Sequence, residues 1–254
     1  MSRQTRYQQQ LRDQFIDFTQ TTGSIADQFL RNSKYDLELA INNFLSYQAS
    51  GSSKDNKTLG DVFDKYKDPS DENVIGIDGT IEYLADLGFE PEDKVTLALA
   101  DFLDSPSVGV FERRSFILKW QSVDAKTLDD MKRHLEVLNS KLENDVGYLK
   151  QVYQFAFKFL LDEGQRTLPL ETAIAYWELI LKPIYGGKID EWSKFLTEEW
   201  KQAISKDAWN MFFVFLQEYE QDPSLESYDE TAAWPSLIDE FVEYHKEHLQ
   251  QGRV

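Results

Sequence analysis

The sequence predicts an all-α protein, and three observations carry that prediction. Apolar residues recur at helical spacing almost from one end to the other. No run of strand-turn-strand signals interrupts them. A hydrophobic content of 41%, with 14% aromatic residues, is enough to fill a large packed core. At 254 residues the chain has room for one large domain with a small companion.

The small companion comes first. Leu11, Phe15 and Phe18 recur at i, i+4 and i+7; Ile25, Ala26, Phe29 and Leu30 follow Gly23 and Ser24. Leu37, Ala40, Ile41, Phe44 and Leu45 then form a third stripe behind Asp36, which suits an N-cap. The spacing therefore predicts a three-helix module over residues 1–47. "QASGSSKDNK", residues 48–57, is polar and small and reads as a flexible linker. Helical spacing resumes in residues 58–254, through "TIEYLADLG", "KVTLALADFLD", "VYQFAFKFLLDEG", "ETAIAYWELILKPIYGG", "EWSKFLTEEWKQAIS" and "DAWNMFFVFLQEY". "YQFAFKF" alternates with period two as a strand would, but its neighbours are helical, so it is read as a helix buried on several sides.

Two stretches have the look of calcium loops. "DPSDENVIGIDG", residues 68–79, carries Ile75 at its eighth position but Asn73 at the sixth and Gly79 at the twelfth, where a metal loop needs Gly and a bidentate Glu. "DSPSVGVFERRS", from Asp104, has Gly109 sixth and Phe111 eighth, with too few carboxylates and Ser115 at its end. The expectation is a pair of EF-hand-like helix-loop-helix units retained as structure without metal. A calcium-responsive sensor is the competing reading.

Composition excludes several classes of function. With no cysteine, the chain holds no disulfide, cysteine-ligated zinc or thiol nucleophile. A net charge of -18 repels nucleic acid and anionic membranes, and favours a basic protein partner. The N-terminal "MSRQTRYQQQ" lacks the apolar core of a signal peptide and "MFFVFL" is too short to span a bilayer, so an intracellular, soluble protein is expected. No Ser-His-Asp spacing and no phosphate-cradling glycine loop is found, and no enzyme activity or cofactor is expected. His245 and His248, beside Glu243 and Glu247, resemble a metal-ligand spacing, but an ordinary solvated helix face accounts for them.

Two acids remain. In "AWPSLIDEFVEYH" Pro235 suits the first turn of a helix; Leu237, Ile238, Phe241, Val242 and His245 share a stripe, Glu240 and Glu243 point away, and Asp239 falls on the border. In "ISKDAWN" Ser205 is a cap and Asp207 stands in the first turn. Both acids are accounted for by dipole complementation and solubility alone, and a partner is the alternative.

Taken together, "YKDPSDENVIGIDG", "AIAYWELIL", "ISKDAWN" and "AWPSLIDEFVEY" resemble the defective-in-cullin-neddylation family in its fungal form, and "YDLELAINNFL" resembles that family's ubiquitin-associated (UBA) three-helix domain. The resemblance implies a UBA-like domain followed by a potentiating-neddylation domain, 58–254, containing EF-hand-like units. It implies a non-catalytic co-ligase, cytoplasmic and nuclear, that promotes transfer of a ubiquitin-like modifier to a cullin. The implied partners are a cullin's C-terminal winged-helix region, the acetylated N-terminus of the neddylation-conjugating enzyme and, indirectly, the cullin-bound RING-box protein. Its cullin-facing residues map to Asp207, Ala233 and Asp239. Its apolar pocket for the acetylated Met maps to Leu99, Ala100, Leu103, Phe111, Phe159, Tyr176 and Leu179, residues that a packed core would also use. Ubiquitin is a further implied partner, although "TQTTGS" replaces the Met-Gly-aromatic loop of ubiquitin-binding UBA domains.

Overall fold

The computed structural model describes residues 3–50, 53–250 and 252. It divides into two compact units, residues 1–91 with 99–136 and residues 92–98 with 137–254.

The first unit opens with the expected three-helix module: α1 (Arg3–Thr19), α2 (Gly23–Asn32) and α3 (Leu37–Ser50). Phe15, Phe29 and Phe44, one ring per helix, meet at centroid distances of 5.3 to 6.3 Å. A core this narrow leaves Phe18 and Leu45 exposed, although both were placed on the apolar stripes. Asp36 caps α3 as expected, accepting from the Leu39 N–H at 3.0 Å.

α4 (Ser53–Tyr66) corrects the linker expected over 48–57. Residues 48–50 end α3 and 53–57 begin α4, while 51 and 52 lie outside the described residues. The buried Leu59, Phe63 and Tyr66 explain the difference, because packing one face stabilises a turn whose own residues only weakly favour helix. There follow β1 (Val74–Ile75), α5 (Ile77–Leu87), α6 (Val95–Phe102), β2 (Phe111–Glu112), α7 (Arg113–Ser122) and α8 (Leu128–Asn144). β1 and β2 pair antiparallel with Ile75 opposite Phe111, the two eighth positions of the loops identified in the sequence. Gly79, in the first turn of α5, is wedged so closely against the Tyr66 carbonyl oxygen that an added Cβ would overlap it.

The three-helix module is tied to α7 inside this unit. Leu118 joins its apolar core, and Arg114 donates to the Thr19 carbonyl oxygen at 2.6 Å. Lys119, only 5% exposed, reaches Asp104 at 3.0 Å and donates to Ser24 Oγ at 2.8 Å, while Thr22 Oγ1 donates to Asp104 at 2.6 Å.

The second unit contains α9 (Val146–Phe159), β3 (Thr167–Leu168), α10 (Leu170–Tyr185), α11 (Gly187–Phe195), a π-helical turn at Leu196–Trp200, β4 (Ile204–Ser205), α12 (Lys206–Gln221) and α13 (Ser236–Gln250). α9 includes "YQFAFKF", so the helical reading of that segment holds. Its core is an aromatic stack. Tyr153 lies on Trp209 at 4.6 Å and 8°, and Trp209 on Trp177 at 5.0 Å and 17°. Three hydrogen bonds satisfy their polar atoms: Trp177 Nε1 to Tyr153 Oη (2.7 Å), Tyr153 Oη to the Trp209 carbonyl (2.6 Å) and Trp209 Nε1 to the Tyr153 carbonyl (2.9 Å). β3 and β4 pair antiparallel, with Leu168 opposite Ile204. Four two-residue strands are therefore the whole β content among the described residues, and the fold is all-α.

Candidate functional site

Asp207 stands at the start of α12, and the chain fixes that start twice. β4 holds the preceding residues against β3, and Ser205 Oγ accepts from the Ala208 N–H at 3.1 Å, as its N-cap position requires. Asp207 is exposed on the free side of the first turn.

α13 brings the second acid. Pro235 precedes the helix rather than lying within it, and its carbonyl accepts from the Ile238 N–H at 2.8 Å. Leu237, Ile238, Phe241, Val242 and His245 are buried, Glu240 and Glu243 exposed, and Asp239 half-buried between them, as the helical wheel predicts. Ala233 is exposed just ahead of the helix. Phe215 of α12 meets Trp234 and Phe241, and Tyr219, one turn later, meets Phe241 and His245. The two helices thus advance in the same sense, with the first turn of α13 beside Phe215 and Asp207 about two turns beyond that level. Among the described residues neither Asp207 nor Asp239 is paired with a cation. Two unpaired carboxylates, each in the first turn of its helix and backed by the positive end of a helix dipole, suit a partner that offers Lys or Arg.

The residues that the resemblance assigns to an apolar pocket divide between the units. Leu99, Ala100, Leu103 and Phe111 are buried in the first unit, and Phe159, Tyr176 and Leu179 are half-buried in the second. In the loop that begins at Asp104, the first ligand position is taken by the Lys119 ammonium, which opposes a cation there. Among the described residues no group of three or more His, Asp or Glu could hold a metal, and no helix is long and apolar enough to cross a membrane.

The solvated face assigned to His245 is wrong. The ring is 1% exposed, with Nδ1 at 2.7 Å from Glu191 Oε1 and Nε2 at 2.9 Å from the Pro223 carbonyl oxygen. Both nitrogens face acceptors, so the imidazolium is the species that fits. Burial alone would lower the His245 pKa, but its bonds to Glu191 and to the Pro223 carbonyl outweigh that and raise it above 6.5. Burial would likewise raise Glu191, but hydrogen bonds from His245 and Tyr219 bring it below 4.5. The stability contributed by His245 is complete below about pH 6.5 and disappears as pH rises through the higher folded value. A melting-temperature profile should therefore decline by a few degrees from pH 6.5 towards 9, and His245→Gln should flatten that decline.

The family model described as "Cullin binding" matches residues 130–244, which include all three residues of the acidic site, and that described as "UBA-like domain" matches residues 9–50. Defective in cullin neddylation protein 1 of Yarrowia lipolytica is 40% identical over 91% of this chain and 94% of its own length. The proteins of the same name from Candida albicans and Saccharomyces cerevisiae are 36% and 30% identical, over 92% and 93% of this chain and 96% and 93% of their own. With relatives this similar along nearly the full length, the chain belongs to the defective-in-cullin-neddylation family as a fungal-type member.

Proposed function

We propose that this chain is a non-catalytic scaffold that promotes attachment of a ubiquitin-like modifier to a cullin, binding the cullin's C-terminal winged-helix region through Asp207, Ala233 and Asp239. The observation that carries this reading is the pair of unpaired carboxylates at the like-facing starts of α12 and α13, within the segment that the cullin-binding family model matches. Holding reactants in register accelerates a reaction without any bond-making group on the scaffold. The conjugating enzyme's acetylated N-terminus is the second partner in this reading. Phe159, Tyr176 and Leu179 are half-buried and so within a ligand's reach, whereas Leu99, Ala100, Leu103 and Phe111 are already packed. The register of Ile75 with Phe111 supports descent of the loops from paired EF-hand-like units. A ubiquitin-receptor role for the N-terminal module is disfavoured, because its α1–α2 turn is engaged by Arg114 and Asp104.

The test is modifier transfer to a cullin in vitro. Asp207→Lys with Asp239→Lys should weaken cullin binding at least tenfold and remove the stimulation, because like charges then face a basic partner. The far-UV spectrum should stay that of the parent chain; Asp207→Lys should leave the melting temperature unchanged, while Asp239→Lys should lower it modestly by stranding the Tyr228 hydroxyl. Stimulation that survives the double reversal would refute the assignment.

A further inference from the structure

The loop between α12 and α13 is shaped around one phenol. Asp222 accepts from the N–H and hydroxyl of Ser224 at 3.2 and 2.7 Å, and from those of Ser227 at 2.8 and 2.7 Å. These bonds hold its carboxyl far below the usual carboxylate range. Leu225, buried, adopts a left-handed φ of 53°, and its carbonyl accepts from the Tyr228 N–H at 3.3 Å. His245 grips the loop's entry through the Pro223 carbonyl. So anchored, the Tyr228 ring stacks on Trp234 at 5.8 Å and 27°, and meets Phe215 edge-on at 6.2 Å. Its hydroxyl donates to Asp239 Oδ1 at 2.6 Å.

A buried phenol needs an acceptor, and packing alone would account for Tyr228 if the acceptor were indifferent. It is not indifferent: the acceptor is the site's own carboxylate, and the ring that holds the phenol, Trp234, adjoins Ala233. Among the described residues no donor engages Asp239 Oδ2. A carboxylate in the first turn of a helix otherwise samples several rotamers, and ordering it on binding costs entropy. We infer that Tyr228 is a positioning residue for the acidic site, clamping one oxygen of Asp239 so that the other points at an incoming lysine or arginine beside Ala233. This rests on the cullin-binding reading above.

The experiment is a double-mutant cycle on the full chain, titrated calorimetrically with a purified cullin C-terminal fragment. Tyr228→Phe should weaken binding roughly three- to tenfold with an unchanged far-UV spectrum. Asp239→Asn should weaken it further. On the Asp239→Asn background, Tyr228→Phe should change affinity less than twofold, because there is no charge left to aim. If Asp239→Asn binds like the parent, the cullin assignment itself fails and takes this inference with it. If Asp239→Asn weakens binding while Tyr228→Phe does not, or if the two losses simply multiply, Tyr228 is only packing and the inference is overturned with the assignment intact.

Discussion

Trp209→Ala should lower the stability of the second unit by about 3–5 kcal/mol. Trp209 is fully buried, stacked between Tyr153 and Trp177, with Phe157 at 6.0 Å. The substitution removes the indole and leaves a cavity whose walls are other aromatic rings too large to collapse into it. It also removes the Nε1 donor that the Tyr153 carbonyl accepts from at 2.9 Å. Urea denaturation followed by near-UV circular dichroism measures the loss, and Trp209→Phe should retain a good part of the stability. Because Trp209 lies two residues beyond Asp207, the Ala variant should also lose cullin binding, whereas the double charge reversal should lose binding with the unit still folded. A midpoint shift worth less than about 1 kcal/mol would mean the stack is not the unit's core.

Lys119→Met should destabilise the first unit by about 2–4 kcal/mol, the lower part of the range for breaking a buried ion pair because Asp104 keeps some contact with water. Removing the ammonium leaves Asp104 with only the Thr22 hydroxyl, and Ser24 without its donor. The cost falls on the seam between α7 and the three-helix module, so protease susceptibility near the α1–α2 turn should rise before the rest of the unit opens. Asp104→Asn combined with Lys119→Met should recover most of the loss, since the stranded charge rather than the missing attraction dominates. If the double variant is as unstable as the single one, the seam is held by Leu118 and Arg114 instead.

What could be read from the sequence follows the range of the interaction. Helices and their caps depend on neighbours three or four residues away, so Asp36, Ser205 and the stripe of α13 were legible before any coordinates. Asp207, Ala233 and Asp239 are assigned through motif resemblance, and the structure adds that among the described residues neither acid is paired with a cation and that α12 and α13 run in the same sense. The stripe of α13 places His245 inward, but its ion pair is not legible, because the partner Glu191 lies 54 residues upstream and no spacing rule links the two. Tyr228 was missed for a similar reason. Its bond to Asp239 spans a loop whose path depends on serine-to-Asp222 bonds and on a left-handed Leu225, neither of which has a periodic signature. The helical start of α4 escaped notice because it depends on burial further along the helix.

The contact between Gly79 and the Tyr66 carbonyl limits what the loop that starts at Asp68 can hold. Position twelve is where an ion-binding loop carries its bidentate glutamate. Here any side chain at that point would first have to prise α5 away from the end of α4. Binding an ion there would thus take a backbone rearrangement as well as a new carboxylate. The close approach of Gly79 thus makes the joint between α4 and α5 a fixed one.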